Sequence, residues 1–484
     1  MMSHCGYHDG MSRPNTILVT MLALAAVAVT RACDDPPAIE HPPAEQTPSQ
    51  YPAITGVEPA QMVDPSSYDD WPWESLGVTG NWSGVRNELI DDGIQLNGSY
   101  SALMFDNLQG GFDTGFFGAG ITQIELTVDA EKAIGLDGGL FFMNVAQMAW
   151  YNGRFEPPGS FSPTGSRIGV DGNFPSNDQS WVAQLNQFYW RQSLDDQGLL
   201  LTFGKIDANV TFAGVNAADG FQNGLAANPA TLNEFLPTFP NPAIGLQIDL
   251  ELAKDVNAHF GWWDGTTPAF DPATGEVGPS TGNHGVGSFF DDADHWFLVS
   301  QIDVGWGSGT RTPGELTLGG WLQTGTSATE GDSTTGVDDV PGGYLTLSQT
   351  VWSRNEDNAA RGGGVQLFGS VAWSPASKNA QTWSMMAGVS ATGVIPGRNS
   401  DALGIMAGTT IFSDDTEIYR STMKDGMPGP AGGRELLAEV FYRIQLTPAM
   451  MVQPGLEWVI DPGGGDPVQL HDAVSAYLAI MIQF

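Results

Sequence analysis

Segments in which apolar and polar side chains strictly alternate recur from residue 94 to the end of the chain. In GLQIDLEL, Leu246, Ile248 and Leu250 share one face while Gln247 and Asp249 share the other, because strand side chains point alternately to opposite sides. Each segment is near the ~9–11 residues that a tilted strand needs to cross a bilayer. About sixteen such segments occur, beginning near residues 94, 121, 139, 182, 199, 245, 256, 295, 314, 343, 364, 382, 402, 436, 450 and 471.

The links between these segments alternate in length. Short links such as DDQG and TPAM contrast with long polar ones, near residues 151–180, 207–243, 264–293 and 412–433. Short turns on one rim and long loops on the other are typical of an outer-membrane barrel. We therefore predict an all-β fold, a 16-stranded antiparallel transmembrane β-barrel over residues 94–484. A soluble β-sandwich is the alternative, but the β region contains no linker and little Lys to protect edge strands.

The last strand is apolar to its final residue, Phe484. Leu478, Ile480, Ile482 and Phe484 form one row, which we predict to face lipid. Pairing with the first strand would close the barrel and leave no edge, and the terminal ring suits the interfacial aromatic belt. We also expect this strand to be the segment that engages the barrel-assembly machinery.

The N-terminal region has a different composition. Arg13 precedes the apolar run ILVTMLALAAVAVT, which is typical of an export signal, so residues 1–32 are predicted to be a signal peptide cut near Ala32. Residues 33–72 are rich in Pro and acids, and we expect a disordered leader or linker. Cys33 at the cut is a candidate lipid attachment site.

A short helix is predicted in residues 73–93, the segment that precedes the barrel. Asn81 is placed to cap the helix, Ser83 to Asp91 form it, and Gly93 ends it. This is the only convincing helix pattern after the signal, and we place it at the periplasmic mouth.

Charge and composition exclude several functions. The chain carries 18 Lys and Arg against 55 Asp and Glu, a net charge of −37. This balance argues against nucleic acid, whose phosphates require clustered basic residues, and against an anion-selective pore. The histidines lack metal-ligand spacing, so we predict no metal and no cofactor. With cysteines only at positions 5 and 33, no disulfide framework is available.

Several stretches resemble the OprB-type carbohydrate-selective porins of Gram-negative outer membranes. The matching blocks are GNWSGVRNELIDDGIQL (80–96), NLQGG (107–111), QFYWRQSL (187–194), LLLTFGKID (199–207), FPNPAIG (239–245) and YRIQLTPAMMVQPGLEWVIDPGG (442–464). The resemblance implies a porin in the cell outer membrane that passes glucose and other sugars by facilitated diffusion. It leaves open which sugar is preferred and whether the protein is a monomer or a homotrimer.

A sugar pore needs lumenal hydrogen-bonding groups and aromatic faces, with binding weak enough for release. The inward parity gives ten candidate pore-lining, sugar-contacting residues, each with a generic solvated lumen side chain as the alternative: Glu125, Gln187, Arg191, Lys205, Asp249, Glu251, Trp263, Glu439, Arg443 and Glu457. Lys205 has ambiguous parity, Trp263 is a candidate stacking plate, and Arg191 and Arg443 are expected to pair with carboxylates at a constriction.

Two other functions remain open at this stage. The barrel would serve as an envelope anchor if the leader bound the cell wall. A barrel enzyme would need an acid, a His and a nucleophile converging at the rim, and the sequence shows no such set. We predict that the protein is not an enzyme.

Overall fold

The structure, a computed structural model, describes the parts of the chain that form the barrel and its turns. These are residues 77–151, 166, 181–194, 198–239, 241–266, 269–271, 276–277, 295–329, 332–420, 431–465 and 470–484. The predicted signal peptide (1–32) and leader (33–72) lie outside the described residues and stay predictions.

The described residues contain a closed barrel of sixteen strands, each antiparallel to both neighbours. Its strands are β1 (Ile94–Gly111), β2 (Gly115–Asp129), β3 (Gly139–Tyr151), β4 (Trp181–Leu194), β5 (Leu199–Ile206), β6 (Ala243–Ala253), β7 (Val256–Asp264), β10 (Trp296–Trp306), β11 (Gly314–Thr329), β12 (Asp332–Trp352), β13 (Gly364–Trp373), β14 (Gln381–Thr392), β15 (Ala402–Phe412), β16 (Arg434–Thr447), β17 (Met450–Ile460) and β18 (His471–Gln483). Two short strands, β8 (Phe270–Asp271) and β9 (Glu276–Val277), pair separately. The predicted fold class is confirmed.

The predicted strand positions agree with the structure except at two places. The segment predicted to begin near residue 121 begins at Gly115, and the one predicted near 343 begins at Asp332. Both extra pieces lie at the rim with the long loops, which we call the long-loop rim. The opposite rim, with connections such as 195–198 and 254–255, is the short-turn rim.

Within the described residues the helices are few and short. They are α1 (Val85–Asp91), α2 (Ala130–Ile134), α3 (Gly224–Ala227), α4 (Glu356–Ala360) and α5 (Pro462–Gly465), with 3₁₀ turns at Trp82–Gly84, Ala208–Val210 and Asn216–Ala218. The predicted N-terminal helix is present, and the other described helices have only four or five residues, too few to show an apolar period in the sequence. In the part of the chain that the structure describes, no helix is long and apolar enough to span a membrane.

The predicted helix from Ser83 to Asp91 is present as a 3₁₀ turn followed by α1. Asn81 precedes the 3₁₀ turn as expected but makes no side-chain cap to it, and the N-cap residue of α1 is Gly84. The Asn81 side-chain oxygen instead accepts the backbone N–H of Asn87 within α1 at 3.1 Å. Gly93 ends it with φ +83°, a conformation that favours glycine. Arg86 on this helix is buried and donates to the carbonyls of Gly80 and Leu96, which fastens the helix to the start of β1.

The outer face of the barrel is apolar and exposed. Leu318, Ile405 and Phe203 are 61%, 58% and 54% exposed, which in water would expose a band far larger than soluble proteins tolerate. On β6 and β7 the intervening side chains, such as Gln247 and Trp263, are buried on the inner side. The period-two prediction of a lipid face and an inner face is confirmed on these strands.

The C-terminal strand closes the ring. β18 pairs with β1 from Gln483 opposite Ser99 onward, and Phe484 exchanges backbone hydrogen bonds with Gly98 at 2.8 and 2.9 Å. The Phe484 ring lies over Gly98 so closely that a Cβ there would be 2.3 Å from the ring. Glycine at position 98 therefore provides the space that the terminal aromatic ring occupies.

Candidate functional site

The connection between β5 and β6 folds into the barrel instead of extending from the rim. We call its described residues, 207–239 and 241–242, the inner loop. Its large side chains are buried, with Phe212 and Leu232 at 0% and Leu225 at 1% exposure. A surface loop this rich in Phe and Leu would leave apolar area in water, so burial against the barrel wall drives it inward. Long loops inside a rigid scaffold are common sites of function.

Much of the inner wall facing the inner loop is apolar. Phe221 on the loop packs edge-on against Phe441 at 4.8 Å and against Phe368 at 5.6 Å between ring centroids. Phe105 and Phe117 of β1 and β2 belong to the same buried cluster. The inner side of the barrel therefore does not face water all round, because alternation identifies the inner face but not what covers it.

Two acidic residues on the far wall anchor the tip of the inner loop. Glu439 on β16 accepts the backbone N–H groups of Gln222 and Asn223 at 2.7 and 2.9 Å and the hydroxyl of Tyr477 at 2.6 Å. The Asn223 side chain donates to Glu457 on β17 at 2.8 Å. Since β16 lies eight positions around the sixteen-strand ring from β6, the inner loop crosses the full width of the barrel.

The base of the inner loop is fastened by Asp207. Its two carboxylate oxygens accept the backbone N–H groups of Asn209 and Phe239 at 2.9 and 3.0 Å. One side chain therefore joins the first and the last segments of the inner loop. Burial raises the pKa of Asp207 to about 7, and the hydrogen bonds from the two backbone N–H groups oppose this rise.

On the near wall, two glutamines hold residues 211–213 of the inner loop. Gln247 Nε2 donates to the Thr211 hydroxyl at 2.9 Å, and Gln301 Nε2 donates to the Thr211 carbonyl at 3.0 Å. Gln301 Oε1 accepts the Ala213 N–H at 3.1 Å and the Tyr344 hydroxyl at 2.8 Å. The loop is thus held by side chains from β6 and β10, and Tyr344 of β12 orients Gln301.

His259 on β7 lies between these two glutamines. Its Nδ1 is 2.6 Å from Asp249 Oδ1 on β6, and its Nε2 is 2.9 Å from Asp303 Oδ2 on β10. Each carboxylate also accepts from the glutamine two residues earlier, Gln247 or Gln301, at 2.9–3.0 Å. A neutral imidazole has one N–H, so only the protonated ring donates to both carboxylates.

A cavity of ≈ 370 Å³ lies between this wall and residues 209–216 of the inner loop, within the range of about 300–1,000 Å³ typical of ligand sites. Arg191, near the end of β4, and Glu315, near the start of β11, place it toward the short-turn rim. Apart from Leu200, Val210, Gly214 and Val215, its lining is polar or charged: Arg191, Asn209, Thr211, Asn216, Gln247, Asp249, His259, Gln301, Asp303, Glu315, Thr317, Thr346 and Ser348.

Two of the ten predicted pore residues, Arg191 and Asp249, line this cavity. Arg191 Nε donates to Thr202 at 3.2 Å, and its guanidinium lies 5.4 Å over the Tyr189 ring. The hydrogen bond is thus made to a hydroxyl, not to a carboxylate. Glu125, on the same inner face, accepts from Asn144 at 3.1 Å.

Lys205 and Trp263 do not line the cavity. Lys205 shares the outward parity of Phe203, and its Nζ donates to the Leu185 carbonyl at 2.8 Å. Trp263 is on the inner side, as predicted, but it is 0% exposed because Phe212 of the inner loop packs edge-on against it at 5.6 Å.

The other predicted residues lie around the inner loop or at the rim. Gln187 accepts the Asp207 N–H at 3.2 Å, and Glu439 and Glu457 form the far-wall anchor described above. Arg443 donates to Gln453 Oε1 at 2.8 Å. Glu251 is exposed near the short-turn rim. Direct sugar contact by any of the ten residues stays a prediction.

Sequence reasoning missed His259, Asp303, Gln301 and Glu315. One signal was present, since the tripeptide Gln-Ile-Asp occurs at both 247–249 and 301–303. Two identical inward-facing Gln and Asp pairs on strands that flank the same β7 histidine predict a shared cluster. Recognising it required the pairing of β7 with both strands, which places His259 opposite Asp249 and Gln301.

Across the described ranges, no group of three or more His, Cys, Asp or Glu side chains is arranged to hold a metal ion. Two of the three cavity carboxylates, those of Asp249 and Asp303, are bonded to protein donors.

Comparison with known proteins identifies the family. Residues 115–484 match the model of the carbohydrate-selective porin, OprB family. Porin B of Pseudomonas aeruginosa is 24% identical over 427 residues, which cover 81% of this chain and 88% of that protein. The high-pH structure of Pseudomonas putida OprB is 18% identical and superposes with a TM-score of 0.66 over 86% of this chain and 100% of the other. The low-pH structure of the same protein gives 0.53 at 15% identity over 85% and 99%.

The family match spans most of the chain, and the solved structures share its fold. These findings confirm the resemblance inferred from the sequence blocks, and they favour transport over the envelope-anchor alternative. The chain therefore belongs to the OprB family of carbohydrate-selective porins, and it is a sugar porin of the Gram-negative outer membrane.

Proposed function

We propose that sugars cross the barrel through the cavity between the inner loop and the wall formed by β4–β7 and β10–β12. The observation that supports this route most strongly is the contrast between the two sides of the inner loop. One side packs into apolar clusters on the wall, while the other borders a cavity lined mainly by hydroxyl, amide and charged groups. Such groups replace part of the hydration of a sugar as it enters a narrow passage.

Within this route, Arg191 and Glu315 are the charged side chains that we propose to meet the solute. Glu315 is exposed on the cavity wall, and the Asp249 and Asp303 carboxylates already accept from His259 and the glutamines. Arg191 offers five N–H donors in a planar group, and the Tyr189 ring beneath it adds an aromatic face. Glu125 on β2, bonded to Asn144 on the intervening β3, extends this polar track.

The acidic balance of the cavity supports a preference for neutral or cationic solutes. Three carboxylates line it, from Asp249, Asp303 and Glu315, against Arg191 and His259. A ring of like charge in a pore repels solutes of the same sign, so we propose that anionic sugars pass more slowly than neutral ones of equal size. The family and fold support a channel rather than an enzyme, and we propose that the barrel has no catalytic activity.

The remaining proposals concern segments and partners. Residues 1–32 are proposed to direct export and 33–72 to form a leader. The oligomeric state is proposed to be a monomer or a homotrimer, which sedimentation in detergent distinguishes. We propose that the assembly machinery engages β18 through Phe484, and the support for this is the position of that residue at the closing seam.

Liposome swelling tests the route. Arg191→Ala is expected to slow neutral sugar entry relative to the wild type, because it removes the guanidinium from the cavity, and Arg191→Lys is expected to restore only part of the rate. Arg361→Ala, at an exposed arginine beside α4, is the matched control. Equal swelling rates for Arg191→Ala, Arg361→Ala and the wild type would place the sugar path elsewhere.

A further inference from the structure

The cluster around His259 connects the barrel wall to the inner loop through two nearly equivalent arms. Asp249 and Gln247 form one arm on β6, and Asp303 and Gln301 form the other on β10. Both arms end at Thr211, one at its hydroxyl and one at its carbonyl. We call these five wall residues the histidine latch.

The two arms share one positively charged group, the protonated ring of His259. Asp249 and Asp303 both bond to the ring of His259, so without that ring two carboxylates would face each other across β7. Each carboxylate in turn orients its glutamine amide group, which then donates to Thr211. Charge-assisted hydrogen bonds of this kind hold geometry more firmly than neutral ones.

Packing adds a second contact between the latch and the inner loop. The Phe212 ring lies edge-on to His259 at 6.3 Å and to Trp263 at 5.6 Å between centroids. The segment 211–213 is therefore held by hydrogen bonds on both sides and by the histidine ring beneath it. The same segment borders the cavity through Thr211.

We propose that His259 is a positioning residue that sets the width of the sugar passage by holding residues 211–213 of the inner loop against the wall. The inference rests on the proposed sugar route, but it concerns the width of that route and not the solute contacts. No solute needs to touch His259 for this role. Losing the latch moves the inner loop away from the wall and widens the passage.

The charge on His259 makes the latch sensitive to pH. The charged groups that face it are Asp249 from β6 and Asp303 from β10, with Glu315 of β11 and Arg191 of β4 in the same cavity, while the inner loop presents the uncharged Phe212. A ring that has lost its second proton donates to only one carboxylate. The exclusion limit of the wild type is therefore expected to rise when the ring loses that proton.

The test measures single-channel conductance and the largest neutral solute that enters liposomes. His259→Phe keeps a ring for Phe212 but removes both hydrogen bonds, so we expect a higher conductance, a larger exclusion limit and loss of the pH response. His471→Phe, at an exposed histidine at the start of β18, is the matched control and is expected to behave as the wild type. A folded His259→Phe protein with the wild-type exclusion limit and pH response would overturn the proposal.

A second pair of variants tests the latch without changing His259. Thr211→Val has nearly the same volume but cannot accept from Gln247, so it is expected to enlarge the exclusion limit, and Thr211→Ser is expected to keep the wild-type limit. Equal exclusion limits for Thr211→Val and Thr211→Ser would contradict the proposed role of the histidine latch. If the wild type admits no sugar at all, the proposed route fails, while the ion conductance of the same variants still tests the latch.

Discussion

Replacing Glu439 with alanine is expected to release the tip of the inner loop from the far wall. Glu439 is 1% exposed and accepts from two backbone N–H groups, those of Gln222 and Asn223, and from the Tyr477 hydroxyl. The Glu439→Ala variant leaves these three donors without that acceptor. Water that enters the space satisfies them only by separating the loop from β16.

The size of the effect follows from the two of these bonds that join the inner loop to the wall, those from Gln222 and Asn223. A hydrogen bond to a charged group contributes about 1.5–3 kcal/mol net, and part of the loss is recovered by water in the enlarged space. Losing the two backbone bonds then favours detachment by about 3 kcal/mol, which is on the order of a 100-fold change in the ratio of detached to attached tip, since about 1.4 kcal/mol corresponds to tenfold.

Planar-bilayer recording is the assay. Glu439→Ala is expected to show a higher mean conductance and more frequent transitions between levels, because the detached tip samples several positions in the lumen. Glu417→Ala, at an exposed glutamate on the loop after β15, is the matched control. Folding is checked by the mobility difference between heated and unheated protein. A folded Glu439→Ala channel with wild-type conductance and noise would refute the anchoring role.

Three further predictions concern closure, pH and charge. Gly98→Ala is expected to lower the folded yield in detergent, because the added Cβ would lie 2.3 Å from the Phe484 ring. Gly343→Ala, whose Cβ would lie 3.4 Å from its nearest neighbour, is the control. Equal folded yields for the two variants would contradict the role of Gly98. Burial raises the pKa of Asp207 to about 7, compared with ~3.9 in an unfolded chain. The contribution of Asp207 to the free energy of unfolding is therefore complete below about pH 4 and is lost as pH rises through about 7. The thermal midpoint of the wild type is expected to fall over that pH window more than the midpoint of Asp207→Asn. Parallel plots of midpoint against pH for the two proteins would contradict this role of Asp207. Glu315→Lys is expected to shift the reversal potential in a salt gradient toward anion permeability, and an unchanged potential would remove Glu315 from the ion path.

The placement of the barrel strands was predictable because their signal is local. Side-chain direction in a strand depends only on residue parity, so Ile248 and Asp249 are assigned to opposite faces without any long-range information. The same reasoning left Lys205 ambiguous. In the structure Gly204, with φ +135°, lies between Phe203 and Lys205 near the end of β5, and Lys205 is bonded to a backbone carbonyl of β4.

The candidate site was predictable only in part. Arg191 and Asp249 were found because both are polar residues on inward positions, and both line the cavity. Trp263 satisfied the same rule but is covered by Phe212. Glu439 also satisfied it, and in the structure it holds the backbone of the inner loop.

The number of strands, their inner and outer faces and the closing role of the chain end were all predictable from the residues, because these features follow from alternation and chain connectivity. Which inward residues meet the cavity became visible only in the folded barrel. That choice depends on the path of the inner loop, which is fixed by contacts between residues more than 200 positions apart in the chain, such as Asn223 with Glu439 and Glu457. Hydrogen bonding across the lumen is a property of the closed ring, and no local pattern of residues carries it.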